Sequence, residues 1–166
     1  MEPMYTYFDP KTFQITPEVK NKISRLAHIK GHSNIIIDGK AVILQGAMIR
    51  GDLNTINMGE YVIIKEDVVI RPTYMKDKTK QLKYAKQKIG SNVYIDRGSI
   101  ISAAKIGSNV HIGKNCIIGH RSIIKDNCKI LDDSVLPPDT VMPPFTVYGG
   151  RPAVYIGELP ESFDRL

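Results

Sequence analysis

The sequence predicts an all-β fold, a single-stranded parallel β-helix built from hexapeptide repeats. In the second half of the chain an aliphatic side chain recurs every six positions, at Ile106, Ile112, Ile118, Ile124, Ile130, Leu136 and Met142. Each is followed four positions later by a small or β-branched residue: Val110, Cys116, Ser122, Cys128, Ser134, Thr140 and Thr146. A period of six residues fits neither the 3.6-residue period of a helix nor hairpins spaced by turn signals. It is typical of a solenoid in which each hexapeptide forms a short strand and a corner, and three hexapeptides close one triangular coil.

Residues 1–36 precede the regular repeat and are predicted to form an N-terminal cap. The open end of a β-helix exposes unpaired strand groups, so a covering segment is needed there. The aromatic residues of the segment are expected to cover the first coil: Tyr5, Tyr7, Phe8 and Phe13.

The β-helix itself is predicted over residues 37–156, with an outward basic loop inserted at 71–88 and a C-terminal tail at 157–166. Three early runs show the six-residue spacing: Ile37, Ile43, Ile49; Met58, Ile64, Ile70; and Ile89, Ile95, Ile101. The spacing disappears between Ile70 and Ile89, which indicates a segment that leaves the solenoid at a corner.

Later corners are marked by residues that tolerate turn conformations. Asn109 is predicted to lie beneath Asn127, and Asn115 beneath Asp133, because each pair is 18 residues apart. Cys116 and Cys128 occupy inward positions on different faces, so we expect two buried, reduced packing residues and no disulfide.

The formal net charge of +6 is concentrated in the predicted loop. Residues 71–88 carry seven cations, Arg71, Lys76, Lys78, Lys80, Lys83, Lys86 and Lys88, against the single Asp77. The rest of the chain is therefore close to neutral, which argues against general nucleic-acid binding. The loop could be a solvated surface, a docking site for an acidic protein face, or a single-strand binder through Tyr74 and Tyr84. Among functional roles we favour protein docking and take the seven cations as its candidate residues. Direct membrane association is not expected, because no apolar run reaches 18 residues.

The string Arg50-Gly51-Asp52-Leu53-Asn54 resembles the γ-class carbonic anhydrase branch of the hexapeptide-repeat proteins. In that branch, zinc is held by three histidines contributed across a trimer interface. The resemblance places the three ligand positions at Arg71, Arg97 and Ser102. None of these can replace a neutral imidazole, so the metal site is expected to be lost, with no cofactor.

The four histidines leave two further possibilities. His28 and His32 have a spacing that suits a metal pair on a helix, but Gly31 lies between them and a solvated pair is the alternative. His111 or His120 could act as the general base of an acyltransferase, but neither has an evident partner and packing at a corner is the alternative. No catalytic residue is predicted.

Several strings that are more specific than the repeat itself resemble the dynactin subunit 5 family over about residues 13–161. They include Val69-Ile70-Arg71-Pro72, the double-proline segment Val141-Met142-Pro143-Pro144-Phe145 and the exit Gly157-Glu158-Leu159-Pro160-Glu161. The resemblance implies a left-handed β-helix without catalytic activity. It also implies a cytoplasmic, cytoskeleton-associated protein that is a subunit of the dynactin pointed-end complex. That complex would support dynein-driven transport on microtubules. The partners it implies are a dynactin subunit 6-like β-helix paralogue, dynactin subunit 4 and an actin-related protein. The alternative is a trimeric enzyme similar to γ-carbonic anhydrases or acyltransferases.

Overall fold

The computed structural model describes residues 9–160, which wind into a triangular parallel β-helix with three walls. Wall A has nine strands: β1 (Phe13–Ile15), β2 (Lys22–Ser24), β5 (Val42–Ile43), β8 (Ile63–Ile64), β13 (Val93–Ile95), β16 (Val110–Ile112), β19 (Lys129–Ile130), β22 (Thr146–Gly150) and β23 (Ala153–Glu158). Wall B has six: β3 (His28–Lys30), β6 (Met48–Arg50), β9 (Val69–Ile70), β14 (Ile100–Ile101), β17 (Ile117–Ile118) and β20 (Val135–Leu136). Wall C has six: β4 (Ile35–Gly39), β7 (Ile56–Glu60), β12 (Gln87–Ile89), β15 (Lys105–Ile106), β18 (Ile123–Ile124) and β21 (Val141–Met142).

From β2 to β22 the chain visits walls A, B and C in strict rotation, apart from one inserted hairpin, β10 (Tyr74–Lys76) and β11 (Leu82–Tyr84). Within residues 9–160 the one helical element is a 3-10 turn, His32–Asn34, and these residues form no helix that could span a membrane. The predicted all-β hexapeptide-repeat solenoid is confirmed.

The core is the stack of aliphatic side chains that the six-residue spacing predicts. On wall B, Ile101 pairs in register with Ile118, and Ile118 with Leu136; all three are fully buried. Burial of each such side chain stabilises the fold by about 1.5–3 kcal/mol before entropy is counted. Cys116 and Cys128 are buried in the same core as free thiols, as predicted.

The corners have the predicted turn residues in left-handed conformations. Asn109 and Asn127 have φ values of 57° and 59°, and Asn115 and Asp133 have 54° and 58°. Consecutive coils are joined there as well, because the Asn127 N–H donates to the Ser108 carbonyl at 2.9 Å. Asn and Asp accept this conformation at lower cost than other non-glycine residues.

The parallel coils begin earlier than the predicted boundary at residue 37. β2 already pairs in parallel with β5, and β3 with β6. Ile23 and Ile29 are the inward residues of this first coil, and they are only partly buried because no complete coil lies beneath them. The capping role falls to a shorter segment, in which β1 pairs antiparallel with β2. Tyr5, Tyr7 and Phe8, to which we assigned a capping role, lie outside the described residues.

The two other predicted boundaries also shift. The repeat ends at β22 rather than at residue 156, because the chain reverses at Gly150 and β23 returns antiparallel along β22. The predicted insertion at 71–88 is too long at its C-terminal end, because β12 is a regular strand between β7 and β15. Lys88 therefore belongs to wall C and not to the loop. Of the predicted tail, residues 161–166 lie outside the described part.

Candidate functional site at the inserted hairpin

The predicted basic loop is an ordered antiparallel hairpin. Tyr74 pairs with Tyr84, Met75 with Lys83, and Lys76 with Leu82. Because side chains alternate between the faces of a strand, Tyr74 and Lys76 share one face with Leu82 and Tyr84. Met75 and Lys83 point to the other face. The hairpin thus carries apolar and cationic side chains together, and Leu82 is 64% exposed.

Asp77 organises the tip of the hairpin. Its Oδ1 accepts hydrogen bonds from the N–H and hydroxyl of Thr79, at 2.8 and 2.6 Å, and from the Gln81 N–H at 3.0 Å. Its Oδ2 lies 3.2 Å from Lys83 Nζ. These contacts, the Thr79 hydroxyl first, lower the pKa of the Asp77 carboxyl. The turn leaves Lys78 and Lys80 exposed at the tip.

The first strand of the hairpin is fastened at its base to the corner that follows β17. Thr73, fully buried, accepts a hydrogen bond from the Arg121 N–H at 2.7 Å and its hydroxyl lies 3.3 Å from His120 Nδ1. Arg121 Nη1 donates to the Tyr74 carbonyl at 3.0 Å, and its guanidinium forms an ion pair with Asp139 at 2.7 Å. The Tyr74 and His120 rings are 4.1 Å apart. The hairpin base is therefore fixed against the body of the solenoid.

The second strand of the hairpin, β11, and the residues that follow it are also hydrogen-bonded, to the first strand and to the solenoid. The Ala85 N–H donates to the Thr73 carbonyl at 2.8 Å, and Asn54 Nδ2 donates to the Tyr84 carbonyl at 2.6 Å. Gln87, a buried residue, donates through Nε2 to the carbonyls of Arg71 and Ala103, both at 2.9 Å. The lysines of the hairpin are consequently presented by a rigid support.

The basic region extends from the hairpin onto wall C. Lys88 pairs in register with Lys105, and both side chains are exposed. Adjacent strands lie about 4.8 Å apart, and like charges facing each other across a ladder are unfavourable. We use the name basic surface for seven lysines: Lys76, Lys78, Lys80, Lys83, Lys86, Lys88 and Lys105. Lys105 was missed from sequence because its place beside Lys88 depends on the register of two coils.

The three positions that the resemblance assigns to zinc ligands, Arg71, Arg97 and Ser102, do not all converge within the chain. Arg71 Nε donates to Ser102 Oγ at 2.8 Å, at the corner between walls B and C. Arg97 is exposed at the corner between walls A and B, after β13. Within residues 9–160 no group of three or more His, Cys, Asp or Glu side chains is arranged to hold a metal. The loss of a zinc site at these positions stays a prediction.

The histidines are placed separately. His28 is exposed on β3 and His32 is exposed in the 3-10 turn. His111 lies half-buried on wall A with its ring 4.8 Å from that of Tyr94, and its pKa is lowered by burial and by Lys129. His120 packs at the hairpin base, where burial, Arg71 and Arg121 lower its pKa. Among residues 9–160, no carboxylate forms the hydrogen bond to either ring that would orient a general base.

The sequence model of the family described as Dynactin subunit 5 matches residues 5–166. The chain belongs to the dynactin subunit 5 family. A member of the dynactin subunit 5 family from Dictyostelium discoideum, named Dynactin subunit 5, is 52% identical over 161 residues. That alignment covers 95% of this chain and 81% of the relative.

Solved structures similar to this dynactin subunit 5 family member include two transferases. A hexapeptide transferase family protein from Anaplasma phagocytophilum has a TM-score of 0.65 and 22% identity, covering 87% of this chain and 82% of that one. The N-acyltransferase AntD from Bacillus cereus has a TM-score of 0.72 and 15% identity, covering 87% and 83%. At such identities the likeness shows the fold alone.

Proposed function

We propose that the chain is a non-catalytic structural subunit of the dynactin pointed-end complex, in the cytoplasm, where it supports dynein-driven transport on microtubules. The observation that carries the proposal is the match to the dynactin subunit 5 family over residues 5–166. The proposed partners are a dynactin subunit 6-like β-helix, dynactin subunit 4 and an actin-related protein.

The basic surface supports a docking role. Of its seven lysines, only Lys83 forms an ion pair within residues 9–160. The remaining cations face solvent on a fixed support, which suits an acidic protein face because complementary charge steers association and suppresses wrong partners. Arg71, at the base of the hairpin, completes the set of candidate docking residues.

Wall B supports pairing with a second β-helix. Its outward column is aliphatic from the second coil onward: Met48, Val69, Ile100, Ile117 and Val135. Ladder neighbours in such a column are about 4.8 Å apart, and the flat wall of another solenoid repeats at the same interval. Rows of aliphatic side chains with equal spacing can interlock, so wall B is our proposed contact with the paralogue.

The test is affinity purification of the tagged chain from its own cells, with mass spectrometry of the recovered proteins. Reversing the charge at Lys76, Lys78, Lys80 and Lys83 should reduce recovery of the other dynactin subunits without lowering Tm. A matched variant reverses the charge at four lysines outside the basic surface, Lys11, Lys30, Lys114 and Lys125. It should keep full recovery of the other dynactin subunits. If the wild type brings down only further copies of itself, the proposal is wrong and a trimeric enzyme becomes the better account.

A further inference from the structure

The arginines of the solenoid differ in how their charge is balanced. Arg50 forms two hydrogen bonds with Asp52 at 2.9 and 3.0 Å, and Arg121 forms two with Asp139 at 2.7 and 3.3 Å. Arg71 is half-buried, and within residues 9–160 its guanidinium has one hydrogen bond, from Nε to the Ser102 hydroxyl at 2.8 Å. No carboxylate of the described chain lies within ion-pair distance of Arg71.

The position of Arg71 is fixed from two directions. Its carbonyl accepts a hydrogen bond from the buried Gln87 amide at 2.9 Å, and Ser102, which holds Nε, is 2% exposed. With Nε engaged, the two terminal nitrogens of the guanidinium remain as donors. A guanidinium held in one orientation loses less entropy when it binds a planar carboxylate through two parallel hydrogen bonds.

Arg71 acts on the same ring, His120, as Arg121, whose charge is already balanced by Asp139. Both arginines favour the neutral form of the His120 imidazole and lower its pKa. The hairpin that carries the lysines leaves the solenoid at the same corner, between walls B and C. A half-buried cation without a counter-charge is costly, and an incoming anion would relieve that cost.

We propose that Arg71 receives a single carboxylate side chain from an acidic protein segment that lies along the hairpin. A protein segment is favoured over nucleic acid because the hairpin also exposes an apolar side chain, Leu82 at 64%, on the face that carries Lys76. An acidic segment with interspersed aliphatic residues matches both features, whereas a phosphate backbone matches only the charge. The inference rests on the proposed function only in taking the occupant to be a protein.

The experiment uses the isolated chain and a synthetic peptide rich in Asp and Glu with interspersed Leu. Binding is measured by calorimetry for the wild type, R71Q, R71K and R97Q. R97Q is the matched control, because it removes the same charge from a different corner, the exposed one between walls A and B. We expect R71Q to lose at least about tenfold in affinity, R71K to lose part of it because lysine lacks the planar fork, and R97Q to stay within about twofold. An equal loss of peptide affinity in R71Q and R97Q would show that the peptide responds to overall charge and not to a specific site at Arg71. That result would overturn the proposal.

A second readout needs no variant. The His120 ring is followed by NMR while the peptide is added, since a carboxylate on Arg71 would offset the charge that lowers the pKa of His120. The pKa of His120 should rise with the acidic peptide and stay constant with a peptide in which every Asp and Glu is Asn or Gln. An unchanged pKa at saturation contradicts the proposal, and so does a single-stranded DNA that binds through Arg71 more tightly than the peptide. Neither result depends on recovery of dynactin subunits from cells, so the two proposals fail separately.

Discussion

Ile117 and Ile118 are neighbours on β17 that lie on opposite sides of wall B. The side chain of Ile117 is 46% exposed in the outward aliphatic column, whereas that of Ile118 is fully buried in the core stack. One residue of the pair holds the coils together, and the other belongs to the column that we propose as a partner contact.

Truncation of the inward residue should be costly. We expect Ile118→Ala to lower the free energy of unfolding by about 2–5 kcal/mol, because it removes buried methyl groups and leaves a cavity between stacked coils. Ile117→Ala is the control on the same strand and should cost less than about 1 kcal/mol. Urea denaturation followed by circular dichroism measures both, and equal losses would contradict the assigned orientation of β17.

A charge on the outward residue should act on assembly and not on stability. Ile117→Asp is expected to abolish co-purification of the β-helix paralogue, because an unpaired carboxylate would be buried in the interface. Val141→Asp is the matched control, since Val141 is 50% exposed on wall C. Gel filtration of each variant co-expressed with the paralogue decides the matter; dissociation by V141D alone would move the contact to wall C.

The buried thiols should react slowly. Burial raises the pKa of Cys116 and of Cys128, so the reactive thiolate is scarce and the sulfur is inaccessible. Titration of the native protein with a thiol reagent at neutral pH should therefore modify neither cysteine within the time in which the urea-unfolded chain reacts completely. Rapid modification of either thiol in the native protein would show that the coil around it opens.

The hairpin tip should respond to acid. The pKa of the Asp77 carboxyl is lowered in the folded protein, so its stabilising effect is complete above its unfolded pKa, about 3.9, and is lost as the pH falls through the folded value. We expect the amides of Thr79 and Gln81 to lose exchange protection in that acidic range. D77N should show weaker protection of these amides at neutral pH and no such transition. Protection of wild-type Thr79 that is constant down to pH 2 would rule out this role of Asp77.

Periodicity in the sequence predicts the walls but not what joins distant coils. The stack from Ile106 to Met142 follows from spacing alone, and the same spacing at Ile23 and Ile29 could have located the first coil. The contact between Thr73 and His120 spans 47 residues and depends on the exact coil register, which the insertion obscures. The hairpin was missed as a hairpin because its tip, Lys78-Thr79-Lys80, lacks the Gly or Asn typical of such turns. The turn is instead held by the side chain of Asp77, which accepts hydrogen bonds from Thr79 and Gln81.

The hairpin leaves wall B after Ile70 and rejoins wall C at Gln87, so it departs and returns at one corner. The hydrogen bonds of its tip are all made within the turn, and none reaches a coil. Evolution can therefore lengthen, shorten or recharge this projection without disturbing the aliphatic stack. The solenoid and the hairpin can therefore diverge at different rates, and if the hairpin docks partners as we propose, related chains with the same solenoid would select different partners through this one segment.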